Sequence, residues 1–303
     1  MNDARIYVII VTYNGSRWVE SCFGSLRQSS VPLMCVVVDN ASTDGTPDLI
    51  AARFPEVHLI RSSENLGFGR GNNQAIRYAL SEGADYVFLL NQDAWIFPDT
   101  IAQLLTAEDA TCGILSPVHL DGKAFGMDRM FKDYLFEGRH LEDDRALLRE
   151  LTTQRDVPFV NAAAWLLPRH TLEAVGGFDP LFSHYGEDNN YCQRVLHHDL
   201  RIRVVPGARI CHDRQGGRSP LQTAWVSRYL TIIYADPQHT ALSTTLRTCG
   251  LQLKLLASIP VLWLRGRKAE ATAIVEAYRN FWAQRRQIAQ SRKINTQRGA
   301  HWL

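Results

Sequence analysis

The first ninety residues alternate between short β-branched apolar runs and longer amphipathic stretches. Residues 5–11 (RIYVIIV), 33–38 (LMCVVV), 57–61 and 86–90 (YVFLL) are apolar runs bounded by turn residues, the pattern of strands buried on both faces of a parallel sheet. Between them, residues 16–28, 47–53 and 70–80 carry helical spacing. Strands alternating with helices at this interval predict right-handed crossovers and a doubly wound α/β sheet. The rhythm breaks over residues 121–156, where a charged stretch (EGRHLEDDRALLRE) reads as an insertion. Order resumes at Val157: VPFVNAAAWLLP leads to a Gly176-Gly177-Phe178-Asp179-Pro180 turn, a helix over 187–198, a strand over 201–205 and then His212. Beyond Pro220 the pattern is helical, with breaks expected near Pro237 and Pro260. The reading is an α/β unit over 1–219, interrupted at about 121–156, followed by a helical region over 220–303. No internal repeat or low-complexity segment is present.

Composition narrows the class without changing that outline. A 303-residue chain with 46% hydrophobic content and a net charge of +2 excludes disordered, collagen-like and coiled-coil readings. The six cysteines stand singly, with no C-x-x-C and no Cys/His cluster, so a disulfide framework and a structural zinc site are not expected and a reducing compartment fits. The start, MNDARIYVIIV, lacks a signal-peptide layout, giving a cytoplasmic expectation. Residues 255–264 (LLASIPVLWL) fall short of the roughly 20 apolar residues of a membrane span. Charge is uneven: from Arg265 onward there are nine Lys or Arg against two Glu, whereas residues 1–264 hold 24 basic and 29 acidic side chains. A basic tail behind an amphipathic stretch fits contact with anionic head groups, and equally a solvated helical face. Nucleic acid is not an expected partner, because no base-reading module accompanies the charge.

In open α/β sheets ligands bind beyond the carboxyl ends of the strands, and those positions are polar here. Thr12-Tyr13-Asn14 follows the first strand, Asp39-Asn40 opens the loop after the second, and Asn91-Gln92-Asp93 follows the fourth. Each has a local alternative as an Asx turn or helix cap. Residues 65–73 (NLGFGRGNN) supply backbone suited to close approach of a phosphate or sugar. No G-x-G-x-x-G follows the first strand, which disfavours a dinucleotide site. Glu187-Asp188 starts a helix, where an acidic first turn is also favoured by the helix dipole.

Taken in order, IIVTYN, VVVDNASTDGT, NLGFGRGNN, FLLNQDA, GGFDPLFSHYGEDNNYCQR and ARICHD resemble the glycosyltransferase family 2 type of GT-A nucleotide-sugar transferase, over about residues 5–215. The look is nearest to bacterial enzymes of surface polysaccharide synthesis, rhamnosyltransferase-like members included. The resemblance implies a GT-A fold, a doubly wound, Rossmann-like mixed sheet, here with a C-terminal helical extension. It implies inverting transfer from a nucleoside-diphosphate sugar, UDP or dTDP favoured, to a saccharide or lipid-linked saccharide. Donor contacts are then expected from Thr12, Tyr13, Asn14, Asp39, Asn40, Gly67, Arg70, Asn73, Gln92 and Asp93. Mn²⁺ or Mg²⁺ is expected on Asp93 and His212, a base at Asp188 assisted by Glu187, and acceptor or sugar contacts from Trp165, His184 and Tyr185, for which core packing (Trp165) and an ordinary turn before a helix (His184, Tyr185) are the alternatives. The chain departs from the family pattern at NQD, which keeps only the last acid of D-x-D, and at Gly71 and Asn72, which replace Ala and Arg of N-x-G-x-x-x-A-R-N. NQD motivates a second reading, a catalytically silent scaffold that binds nucleotide sugar. A nucleotidyltransferase is disfavoured by the lack of an early Gly-rich loop with a basic residue. A peripheral membrane contact and a homo-oligomer stay open.

Overall fold

The alternation along β1 (Ile6–Thr12) decides the two faces of the sheet. Ile6, Val8 and Ile10 pack on one side with Val19, Phe23 and Ile50, while Tyr7 and Ile9 pack on the other with Ala75, Ile76 and Phe178. The computed structural model describes residues 4–136, 151–183, 185–214 and 222–303. In chain order, α1 (Val19–Leu26), β2 (Met34–Asp39), α2 (Thr46–Arg53), β3 (His58–Arg61), α3 (Gly67–Ser81) and β4 (Tyr86–Leu90) are the alternating units the apolar runs predict. β3, β2, β1 and β4 lie side by side in parallel. The chain leaves this parallel half through β5 (Ala94–Ile96), α4 (Thr100–Thr106), β6 (Cys112–Asp121), α5 (Arg129–Phe136) and β7 (Arg155–Asp156). It returns through β8 (Ala164–Pro168), α6 (Arg169–Val175), α7 (Glu187–His197) and β9 (Arg201–His212). The second half is mixed: β8 is antiparallel to β4, β6 and β9 are parallel to each other, and β5 runs antiparallel to β9.

Several expectations change. β5, α4 and β6 have no counterpart in the hydrophobic pattern as read. β6 is masked by Pro117, which sits at a register shift in its pairing with β9, one of the places where a strand accommodates a residue without an N–H. β9 runs on past Val205 to His212, making that histidine the last residue of a twelve-residue strand. The helix break expected at Pro260 is absent: one helix runs from Ala241 to Leu264. Pro260 falls on its exposed side in the last turns, where the carbonyl deprived of its donor reaches water. The charged run of residues 137–150 lies outside the described residues.

The helices after the sheet are α8 (Gln222–Ala235), α9 (Ala241–Leu264) and α10 (Lys268–Asn295). Val226 and Leu230 of α8, Ala277 and Phe281 of α10 and Phe182 of the loop before α7 form one apolar cluster. The end of the chain clamps the glycine turn. Gly177 N donates to the His301 carbonyl at 2.8 Å, and at Gly176, where φ is +83°, any Cβ would run into the His301 backbone. Asp179 Oδ2 accepts from Ser291 and, at 2.8 Å, from Asn295.

Candidate functional site

Parallel strands on both sides of β1 make the β1/β4 boundary the topological switch, with the carboxyl ends of β1, β2 and β4 around it. Gln92 bridges that boundary: its Oε1 accepts from Tyr13 N at 2.9 Å and its Nε2 donates to the Tyr13 carbonyl at 3.1 Å. Asp39 organises the loop after β2. Its carboxylate accepts from Thr12 Oγ1 at 2.8 Å, Ser42 Oγ at 2.6 Å and Ser42 N at 2.9 Å. A carboxylate offers about four lone-pair sites, so one acceptor position is left on Asp39. Asn14, at φ +48°, accepts from Thr43 N at 2.8 Å and locks the β1 loop to the β2 loop. Tyr13 remains 47% exposed at the mouth.

The glycine-rich segment takes a different role from the one expected. α3 begins at Gly67, and Gly69 and Gly71 let it approach Phe178 and Val11. Gly67, at φ +77°, lies against the Ser183 carbonyl, so this turn packs on the loop that leads to α7. Asn73 is a correction: it is buried, and both ends of its amide bond the Phe178 backbone at 2.7 Å, so it clamps the glycine turn. Asn40 is likewise engaged, with Leu66 N and the Gly67 carbonyl. Arg70 is exposed and donates to the Leu66 carbonyl at 3.0 Å. Of the two readings of an aromatic within VNAAAWLLP, sugar contact and core packing, Trp165 takes the second, which corrects the sugar contact: its ring is fully buried among Phe178 and Tyr191. Asp179 beside the acid pair is consumed by α10. His184 lies outside the described residues.

Asp93 and His212 are brought together by β5, the short strand missed in the sequence. Its pairing sets Ala94 opposite His212, and Asp93 Oδ1 lies 3.4 Å from His212 Nε2. On the other side of the ring, Nδ1 faces Asp128 Oδ2 at 3.7 Å and has no hydrogen-bond partner, though the side chain is only 3% exposed. Asp128 is held in turn by Phe131 N at 2.9 Å and by Arg214 Nε at 3.2 Å. Among the described residues no group of three or more His, Cys, Asp or Glu converges as a ready cation cage. A two-donor set does fit an ion that completes its shell elsewhere. A carboxylate and an imidazole side by side would serve as donors to such an ion, which is commonly held by one or two protein groups plus substrate phosphates.

The acid pair opens α7, behind Gly186 at φ +98°. Glu187 is 6% exposed with Oε2 unpartnered. Burial pushes its carboxyl up to about 7, the Asp188 charge adding to the rise and the Arg228 guanidinium opposing it. Burial also raises Asp188, opposed by the Asn189 N–H at 2.8 Å and by the positive charges of Arg214 and Arg228. Arg214 therefore links the two halves of the site, bonded to Asp128 and electrostatically coupled to Asp188. Arg228 of α8 stacks over the Tyr185 ring, 4.8 Å from its centroid. Tyr134 of α5 borders the pair as well, its hydroxyl pKa raised by burial and by the Asp188 charge. Asp128, Tyr134, Arg214 and Arg228 were not singled out from sequence. No spacing marks them, because each reaches the site through a long-range contact.

The family model for glycosyl transferase family 2 matches residues 7–174. An N-acetylglucosaminyl-diphospho-decaprenol L-rhamnosyltransferase of Mycobacterium tuberculosis is 27% identical over 260 residues, covering 77% of this chain and 84% of that one. The dTDP-rhamnosyl transferase RfbF of Shigella flexneri is 26% identical over 216 residues, 69% of each chain. Among solved structures, S. aureus TarS in complex with UDP-GlcNAc superposes with a TM-score of 0.57 at 17% identity, covering 95% of this chain and 91% of that one. The mannosyltransferase PcManGT from Pyrobaculum calidifontis, in complex with GDP-Man and Mn²⁺, gives 0.55 at 21% identity, with 94% and 89% covered.

Proposed function

The chain belongs to glycosyl transferase family 2, and from that membership we propose that it transfers a sugar, with inversion, from a UDP- or dTDP-sugar to a saccharide carried on a lipid diphosphate, on the cytoplasmic side of surface polysaccharide synthesis. The observation that carries the proposal is the pairing of Asp93 with His212 at the sheet edge, with Asp128 and Arg214 next to His212 and the charge of Arg214 felt at Asp188 of the acid pair. The two rhamnosyltransferase relatives support a dTDP sugar and a lipid-linked acceptor.

Asp39 offers its remaining lone pair to an N–H of the base, and the exposed Tyr13 ring offers a stacking face. Asp93 and His212 would hold a divalent cation jointly with the donor diphosphate, where it supplies Lewis acidity toward the leaving group. Asp188 accepts the proton of the acceptor hydroxyl as that oxygen bonds to the anomeric carbon and the bond to the diphosphate breaks. General-base help of this kind contributes about 10² to 10⁴ in rate. Glu187, whose raised pKa keeps a large share of it protonated up to neutrality, donates its hydrogen toward the acceptor in that form and spares Asp188 a second adjacent negative charge.

Thermal melting with a panel of nucleoside diphosphates and their sugars tests this reading. A ligand bound only by the folded chain raises the midpoint. The expected outcome is a rise for dTDP or UDP compounds that requires Mn²⁺ or Mg²⁺ and vanishes with chelator. No rise with any of them points to a chain that does not bind such donors.

A further inference from the structure

The outer side of the helix Ala241–Leu264 carries a row of exposed leucines along its length. Its inner side is engaged: Thr244 is buried, Leu255 joins the cluster with Phe281, and Gln252 and Thr245 bond the Tyr234 hydroxyl at 3.0 and 2.9 Å. Opposite, Leu242, Leu246, Leu253, Leu256 and Leu264 are between 44% and 88% exposed. Their spacing keeps them in one helical seam. Arg247, Lys254 and Arg265, seven and eleven residues apart, form a second seam beside it. Trp263 is 57% exposed at the helix end, with Lys268 Nζ 4.6 Å from its ring centroid. Between Pro237 and Ala269 there are five Lys or Arg and no Asp or Glu.

We propose that this face docks on an anionic bilayer, the leucines and Trp263 entering the boundary of the acyl chains while Arg247, Lys254, Arg265 and Lys268 meet lipid phosphates. An all-cationic apolar face is complementary to that surface, and the seam has the make-up of an interfacial helix. No helix among the described residues is long and apolar enough to cross a membrane, so the helix lies in the surface plane. A second copy of the chain fits worse, since two-fold pairing of this face would set cationic seams against each other. The benefit to catalysis rests on the lipid-linked acceptor proposed above. α8 and α10 join this helix to Phe182 of the loop before the acid pair through one apolar cluster, so docking is coupled to the element that carries the acid pair.

Flotation of the full chain tests this, using phosphatidylcholine vesicles with and without phosphatidylglycerol, at low and high salt. Two variants accompany wild type: Leu253→Glu/Leu256→Glu and Arg247→Glu/Lys254→Glu. The expected result is flotation on the phosphatidylglycerol vesicles at low salt, reduced at least about tenfold on phosphatidylcholine alone, at high salt and in each variant. Melting midpoints are read alongside. Should the leucine variant melt early, the charge-reversed variant, whose positions are exposed, decides. Wild type that stays down with anionic vesicles, or variants that float as well as wild type, overturns the proposal. So does a dimer in light scattering that the leucine substitutions dissolve, which would make a second copy the occupant. Flotation needs neither donor nor acceptor, so its failure leaves the transferase reading standing, and a chain that floats but binds no nucleotide sugar fails that reading alone.

Discussion

Glu187 links the chemistry to pH. Its folded-state pKa of about 7 lies above the usual 4.5, so the folded chain holds a proton that the unfolded chain releases between those values. Stability therefore falls as pH rises through this window. In Glu187→Gln the side chain stays neutral, and the gap between variant and wild-type melting midpoints should widen from pH 5 to pH 8. The corresponding free energy is on the order of 2 to 3 kcal/mol. A gap that stays constant over that range contradicts the buried, proton-holding Glu187. Asp128 is tested through the cation. Its carboxylate faces His212 Nδ1 at 3.7 Å, and Asp128→Asn keeps the helix-capping oxygen while removing the charge beside the ring. Mn²⁺ affinity, read from the free-ion electron paramagnetic resonance signal with nucleoside diphosphate present, should weaken about 10- to 100-fold. Asp93, His212, Asp188 and Glu187 were legible because each stands at a strand or helix end in a polar cluster. Asp128 was not, because the turn that aims it at His212 belongs to a stretch that reads as an insertion.

At the scale of elements, burial on both faces decides which strands show in the pattern. β1 to β4 are continuous apolar runs because both of their faces are buried, and that signal survives in the sequence. β5 is only three residues long, too short for any periodicity, yet its register with β9 creates the Asp93–His212 pair. β6 hides behind Pro117 and α9 runs through Pro260, two positions where local context overrides what proline does in isolation. Asn73 and Trp165 carry the residue types of a binding site but serve as a backbone clamp and a core ring, a distinction that only packing reveals. The last helix is also more than a tail. Asp179 of the glycine turn accepts from Ser291 and Asn295 across more than a hundred residues, and Arg194 donates to the Val175 and Gly177 carbonyls at 2.8 and 2.6 Å from the other side. Asp179→Ala leaves two buried donors without their acceptor and should cost about 2 kcal/mol in denaturant unfolding. An unchanged midpoint and slope would show that the turn holds without the C-terminal helix.

At the level of the molecule, the parallel half of the sheet carries the loops of Tyr13 and Asp39, the pairing of β5 with β9 carries Asp93 and His212, α7 carries the acid pair, and the C-terminal helices pack on the loop before it. The α/β class and the helical extension were readable from the hydrophobic pattern. The mixed half was expected only through the GT-A resemblance, because strand direction is set by pairing between segments far apart in the chain. The central claim is that Asp188 is the base in transfer from a nucleoside-diphosphate sugar, and the direct measurement is release of nucleoside diphosphate by wild type and Asp188→Asn, with saturating donor, Mn²⁺ and a lipid-diphosphate saccharide acceptor. Acceptor-dependent release by wild type, reduced about 10² to 10⁴-fold in Asp188→Asn while calorimetry shows the same donor affinity, is the predicted result. Turnover by Asp188→Asn at the wild-type rate would contradict it.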